Sequence, residues 1–266
     1  MEKKILALDF DGVIANSMRE LVVVACNTLL SLYPETSIGA GKKVLIDDAV
    51  DFLEENDDLV KAFYRIASHA KDAQEYVACC LLLSQGKEAH SRKQFEEFFA
   101  TIPEGKRDQF QKRFYAERSL LQADMDAWVR LNPPFPAIAE GVKRAFGRIP
   151  MVIVTTKDRH SCTSLLHAYG LAFREEDIIA NDRGLDKGAH MHTLSCRFGI
   201  EASGIIFVDD VPENHFRVKQ SGAQCYLATW GYQSGEARRD AKRMGITLLS
   251  ESGFLALVER IAGEQT

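Results

Sequence analysis

The chain has 266 residues, 46% hydrophobic and 27% charged, the balance of a globular protein long enough to divide into two cores. A formal net charge of -5 excludes the basic stripe of a dedicated nucleic-acid binder, and no apolar run reaches the ~20 residues that span a bilayer. The start carries no secretory pattern, and six cysteines without C-x-x-C spacing read as small buried side chains in a reducing cytoplasm.

The first element is the apolar run Ile5 to Leu8, a buried strand that ends in Asp9, Asp11 and Gly12. A D-x-D-G turn after such a strand puts two carboxylates at the C-terminal edge of a sheet, where open α/β folds bind ligands. Two acids so close repel each other unless a cation or a phosphoryl group shares the site. Residues 18–132 then read as almost wholly helical. Leu59, Phe63, Ile66, Ala70, Ala73, Val77 and Leu81 recur at steps of three and four, as do Phe110, Phe114, Leu121, Met125 and Trp128. Stripes of this kind mean helices packed in a bundle. Asn132-Pro133-Pro134-Phe135-Pro136 breaks the pattern and returns the chain.

Beyond residue 133, strands at 150–155, 177–180, 204–208 and 224–228 alternate with helices near 137–147, 158–169, 187–198 and 213–221. The alternation runs to about residue 230 and predicts a doubly wound, Rossmann-like α/β core with a parallel sheet. The predicted domains are a discontinuous core, 1–17 with 133–266, and an inserted all-helical cap, 18–132.

Three later segments repeat the chemistry of the first. Strand 150–155 ends in the hydroxyls Thr155 and Thr156; Asp186-Lys187-Gly188 opens a helix; and Gly204 to Asp210 is an apolar strand ending in Asp209 and Asp210, continued by V-P-E-N-H. In this order the four segments resemble the haloacid-dehalogenase-like hydrolase superfamily. Val154 to Leu171 and Ser221 to Tyr232 further resemble its phosphoglycolate-phosphatase-like and beta-phosphoglucomutase-like members. Two departures are Asn16, where that subgroup carries an acid, and Thr156, where it often carries Asn.

The resemblance implies a magnesium-dependent phosphatase that hydrolyses a small phosphorylated metabolite through an aspartyl-phosphate. Asp9 would be the nucleophile and Asp11 the general acid and base. Thr155 and Thr156 would hold the phosphoryl group, and Lys187 would balance its charge. Asp9, the main-chain carbonyl of Asp11, and Asp210 would bind Mg2+, with Asp209 either a direct ligand or behind one. It also implies that the first strand lies between the second and fourth, bringing Asp9, Thr155 and Asp210 to one edge. Lys157 competes with Lys187, but its place directly after the threonines reads as a surface or helix-start residue. A phosphomutase on the same scaffold and a non-enzymatic phosphoacceptor remain as alternatives. Substrate identity and oligomeric state stay open, as does the choice among cap residues such as Arg65, His69, Lys71 and Arg92.

Overall fold

A computed structural model of the chain describes residues 3 to 184 and 186 to 265. Strand β1 (Ile5–Leu8) is followed by seven helices: α1 (Met18–Leu32), α2 (Ala49–Glu55), α3 (Asp57–Ala67), α4 (Ala73–Ser84), α5 (Arg92–Ala100), α6 (Glu104–Leu121) and α7 (Met125–Arg130). The remainder alternates: α8 (Pro136–Ala145), β2 (Met151–Val154), α9 (Arg159–Ala168), β3 (Ile178–Ile179), α10 (Lys187–Phe198), β4 (Ile205–Asp209), α11 (Pro212–Gln220), β5 (Gln224–Ala228), α12 (Gly235–Arg243), β6 (Thr247–Leu249) and α13 (Glu251–Gln265). The chain divides into two compact units. One joins the segment up to Asn16 to the segment from Pro133 onward, and the other is Ser17–Asn132.

In the first unit all six strands are parallel, in the order β3-β2-β1-β4-β5-β6. Parallel strands are buried on both faces, so they are written as continuous apolar runs. Ile5 and Ala7 join Val152, Phe207, Met191 and Leu194 of α10, and Val218 of α11, in one cluster. Leu6 and Leu8 point the other way and are equally buried. The doubly wound sheet and the central place of β1 agree with the sequence reading. The alternation, however, continues past residue 230 through α12, β6 and α13. β6 is three residues long and α12 is mostly polar, so neither carries an apolar run that periodicity could find.

The second unit is helical, with α1, α4 and α6 packed on one another. Its two apolar stripes are each interrupted. The run from Leu59 to Leu81 is split between α3 and α4, where Asp72 caps the new helix through Glu75 N–H at 3.0 Å. The run from Phe110 to Trp128 is split between α6 and α7, where Asp124 caps Ala127 N–H at 2.9 Å. The aspartates at the new N-termini are the signals of interruption. Two polar candidates named from the sequence are occupied within this unit. Arg92 is held by Glu75 at 3.0 Å on each of two nitrogens, and Arg65 pairs with Glu88 at 3.0 Å.

Candidate active site at the C-terminal edge of the sheet

β1, β2 and β4 end side by side. Leu8 is in register with Ile153 and Val208, and Asp9 N–H donates to Val208 O at 2.9 Å. The register carries Asp9, Thr155 and the Asp209-Asp210 pair to the same edge. Asp9, Asp209 and Asp210 are all buried, and one carboxylate oxygen from each lies within 4.8 Å of the others. Lys187, the first residue of α10, inserts between two of them, with Nζ at 2.9 Å from Asp9 and 2.6 Å from Asp209. Asp186 caps that helix through Gly188 and Ala189 N–H, which fixes the point from which the lysine departs.

The three carboxylates are not equivalent. Asp209 accepts from Val211 N–H at 2.7 Å and Asn214 Nδ2 at 2.9 Å, as well as from Lys187. Burial opposes its charge, but Lys187 above all, with the Val211 N–H, holds its carboxyl below the usual range. Burial pushes Asp9 up to about 7, with Asp209 adding to the rise and Lys187 opposing it. Asp210 is raised well above the carboxylate range by burial and by Asp209, against one hydrogen bond from Tyr232 N–H at 2.7 Å. Burial disfavours the Lys187 ammonium, but Asp209 and Asp9 outweigh it and keep the lysine charged. Three buried acids therefore face one ammonium. That donor set fits a hard divalent cation, which takes oxygen ligands.

Asp9 gives this site a pH signature. The unfolded chain releases the Asp9 proton near 3.8, whereas the native protein holds it to about 7. Between those values the native state binds more protons, so stability falls as pH rises. Metal-free protein should therefore melt at lower temperature at pH 8 than at pH 5, and Asp9→Asn should flatten that dependence. Melting curves in chelator across this range check it. A wild-type slope no steeper than the variant's would refute it.

The remaining named residues are placed as follows. Thr155 is buried, and its Oγ1 accepts Lys157 N–H at 3.1 Å, closing a tight turn; Thr156 beside it is exposed. Asp11 is partly exposed, with its side chain 33% accessible. Lys157, read as a surface or helix-start residue, does lie just before α9 but is not on the surface. Its side chain is buried, and Nζ lies 3.1 Å from Asp11 Oδ1. The turn at Thr155 folds the side chain of Lys157, two residues on, back toward Asp11, which proximity in sequence does not reveal. His215 is buried against Phe207, and its Nε2 donates to Asp209 O at 3.1 Å, supporting the acidic turn.

Sequence reasoning missed what holds Asp210. Gly12 has φ +79, in the left-handed region that favours glycine, and a Cβ there would collide with the Asp210 carboxylate. A Cβ on Gly231 would collide with Asp210 and with Gly12 O. Asp210 is thus seated between two glycines from loops far apart in sequence. The lone glycine of Trp230-Gly231-Tyr232, directly after an apolar strand, was the available signal of a close backbone approach.

No family model and no curated protein matches this sequence. Solved structures do. A predicted phosphoglycolate phosphatase from Haemophilus somnus is 14% identical with a TM-score of 0.63, covering 97% of this chain and 98% of its own. A haloacid dehalogenase-like family hydrolase from Streptococcus pneumoniae is 14% identical with a TM-score of 0.61, over 97% and 98%. The chain has the haloacid-dehalogenase-like hydrolase fold. A further protein of this fold, a hydrolase from Deinococcus radiodurans with bound phosphate and sodium, is 16% identical with a TM-score of 0.58, over 99% and 98%. Among the described residues of this haloacid-dehalogenase-like chain, no helix is long and apolar enough to cross a membrane.

Proposed function

We propose that this chain is a magnesium-dependent phosphatase that hydrolyses a small phosphomonoester through an aspartyl-phosphate on Asp9. The observation that carries the reading is the buried cluster of Asp9, Asp209 and Asp210 around Lys187, at the strand ends of this fold. In the first half-reaction an Asp9 oxygen attacks phosphorus in line, the ester P–O bond breaks, and Asp11 gives its proton to the leaving oxygen. In the second, Asp11 takes a proton from water, whose oxygen attacks phosphorus and returns Asp9 as a free carboxylate. Lys187 supports the charge on Asp9 and on the transferring group. The Thr155 hydroxyl and Thr156 N–H hold phosphoryl oxygens, and Lys157 sets the resting orientation of the Asp11 carboxylate.

Asp9, Asp210 and the main-chain carbonyl of Asp11 are the residues assigned to the metal, which when bound neutralises charge shared by the carboxylates and the phosphoryl group. Asp209 acts from behind them, because both its oxygens are taken by Val211, Asn214 and Lys187. The helical unit Ser17–Asn132 is assigned to the choice of leaving group.

The test is release of inorganic phosphate from an aryl phosphate and from a panel of metabolite phosphates. Activity should fall about a hundredfold or more on chelation and return with magnesium. Activity indifferent to both would reject the metal assignment. Phosphoryl transfer to a second sugar hydroxyl in place of release would make the enzyme a mutase. A stable phosphoprotein without turnover would make it a phosphoacceptor.

A further inference from the structure

The loop after β5 reaches back across the sheet edge and grips the turn after β1 with two side-chain hydrogen bonds. Trp230 Nε1 donates to Val13 O at 2.9 Å, and Tyr232 O–H donates to Ala15 O at 3.0 Å. Between them, Tyr232 N–H donates to Asp210 Oδ2 at 2.7 Å, and Gly231 packs where a Cβ would strike both Asp210 and Gly12 O. The gripped turn is the one that carries Asp11. Gly12 N–H donates to Ala15 O at 2.9 Å, so that carbonyl accepts from both the turn and the loop.

The loop is itself anchored. Thr229 N–H and Oγ1 both donate to Leu249 O of β6, at 2.9 and 3.0 Å. The Trp230 indole meets the buried ring of Phe254 in α13 edge-on, with centroids 6.0 Å apart. A rigid part of the core thus reaches both the Asp210 carboxylate and the Asp11 turn. Main-chain packing alone would need neither the indole N–H nor the phenol O–H. Both are spent on carbonyls of the one turn Asp11–Ala15.

We infer that Trp230 and Tyr232 are positioning residues that hold Asp210 and the Asp11–Ala15 turn in one frame, so that the Asp210 carboxylate and the Asp11 main-chain carbonyl close on a single cation. This rests on the divalent-cation reading above. Asp9 is held by the β1–β4 ladder, whereas the Asp11 main-chain carbonyl lies in the turn beyond the strand end, so its place relative to Asp210 depends on that turn. A loose turn would let the Asp11 carbonyl relax away from Asp210. The strap opposes that relaxation before any cation arrives, and a site held ready binds more tightly than one that must be assembled.

The experiment uses Trp230→Phe, Tyr232→Phe and the double variant. Each removes one donor, keeps a ring, and leaves Tyr232 N–H to Asp210 intact. Magnesium chloride alone is titrated calorimetrically into metal-free protein. The double variant should bind magnesium about tenfold more weakly than wild type, each single variant by a smaller factor. Metal-free melting should shift by only a few degrees. Phosphatase activity should be reduced at low magnesium and recover most of its loss at saturating magnesium. Equal magnesium affinity in wild type and both single variants would overturn the inference, as would lost activity that saturating magnesium does not restore. A wild type that takes up no magnesium would instead reject the divalent-cation reading, and this inference with it. Should the double variant not fold, the two single variants carry the comparison.

Discussion

Replacing Asp9 by Asn should lower phosphate release by at least about a thousandfold while leaving the fold in place. Asp9 sits at the end of the central strand with one oxygen 2.9 Å from Lys187 Nζ. The amide is nearly isosteric, and its oxygen still accepts from Lys187. It also removes a charge that burial already pushes toward the neutral form at about 7, so folding is not penalised. What it removes is the anion proposed as the nucleophile, and no neighbour is placed to substitute. Asp209 has both oxygens engaged, and Asp210 is pinned between two glycines. Mass spectrometry of acid-quenched enzyme should find one phosphoryl group on wild type and none on the variant. A variant that retains turnover, or still acquires the phosphoryl mass, would refute covalent catalysis at Asp9.

Replacing Lys187 by Met should damage both folding and chemistry. Its ammonium lies 2.9 Å from Asp9 and 2.6 Å from Asp209 in a buried setting. Removing one partner of a buried ion pair leaves charge uncompensated and costs about 3–5 kcal/mol. Asp9 can relieve part of this by keeping its proton, so the loss should be smaller at pH 6 than at pH 8. Chemical denaturation at both values measures it. Adding Asp209→Asn should return much of the stability, because that carboxylate then no longer needs a counter-charge. It should return no activity, since the lysine proposed to support the transferring group is still missing. Equal stability of wild type and Lys187→Met would show that the buried triad is not ionised as described here.

The parts legible in the sequence are those written locally. An apolar strand followed by Asp9-Phe10-Asp11-Gly12, and another followed by Asp209-Asp210, announce a sheet edge and its acids in consecutive residues. Lys187 was legible because a helix start fixes where a first-turn side chain departs. The illegible parts depend on contacts between distant segments. Lys157 reads as a surface lysine until the Thr155 turn directs it onto Asp11. Arg92 reads as a free cation until Glu75 takes it. β6 and α12 show no apolar pattern because a three-residue edge strand and a mostly polar helix bury little. The seat of Asp210 was invisible for the same reason, since Gly12 and Gly231 meet only after β1, β4 and β5 are side by side.

The central position of β1 also bears on how the protein is made. Its neighbours are β2 and β4, with Leu6 opposite Met151 and Ile206. On the ribosome β1 is therefore the first of the six strands synthesised, and it has no sheet partner until the helical unit Ser17–Asn132 and all of α8 have been added. At a usual elongation rate of ~5–20 residues per second, that wait is on the order of ten seconds. Throughout it, a strand destined for complete burial is an unpaired edge, the kind of segment that seeds association between nascent chains. Lys3 and Lys4 directly before it, and Asp9 and Asp11 directly after it, bracket the apolar run with charge at both ends. The acids assigned to phosphoryl chemistry thus stand where flanking charges guard an apolar strand against association.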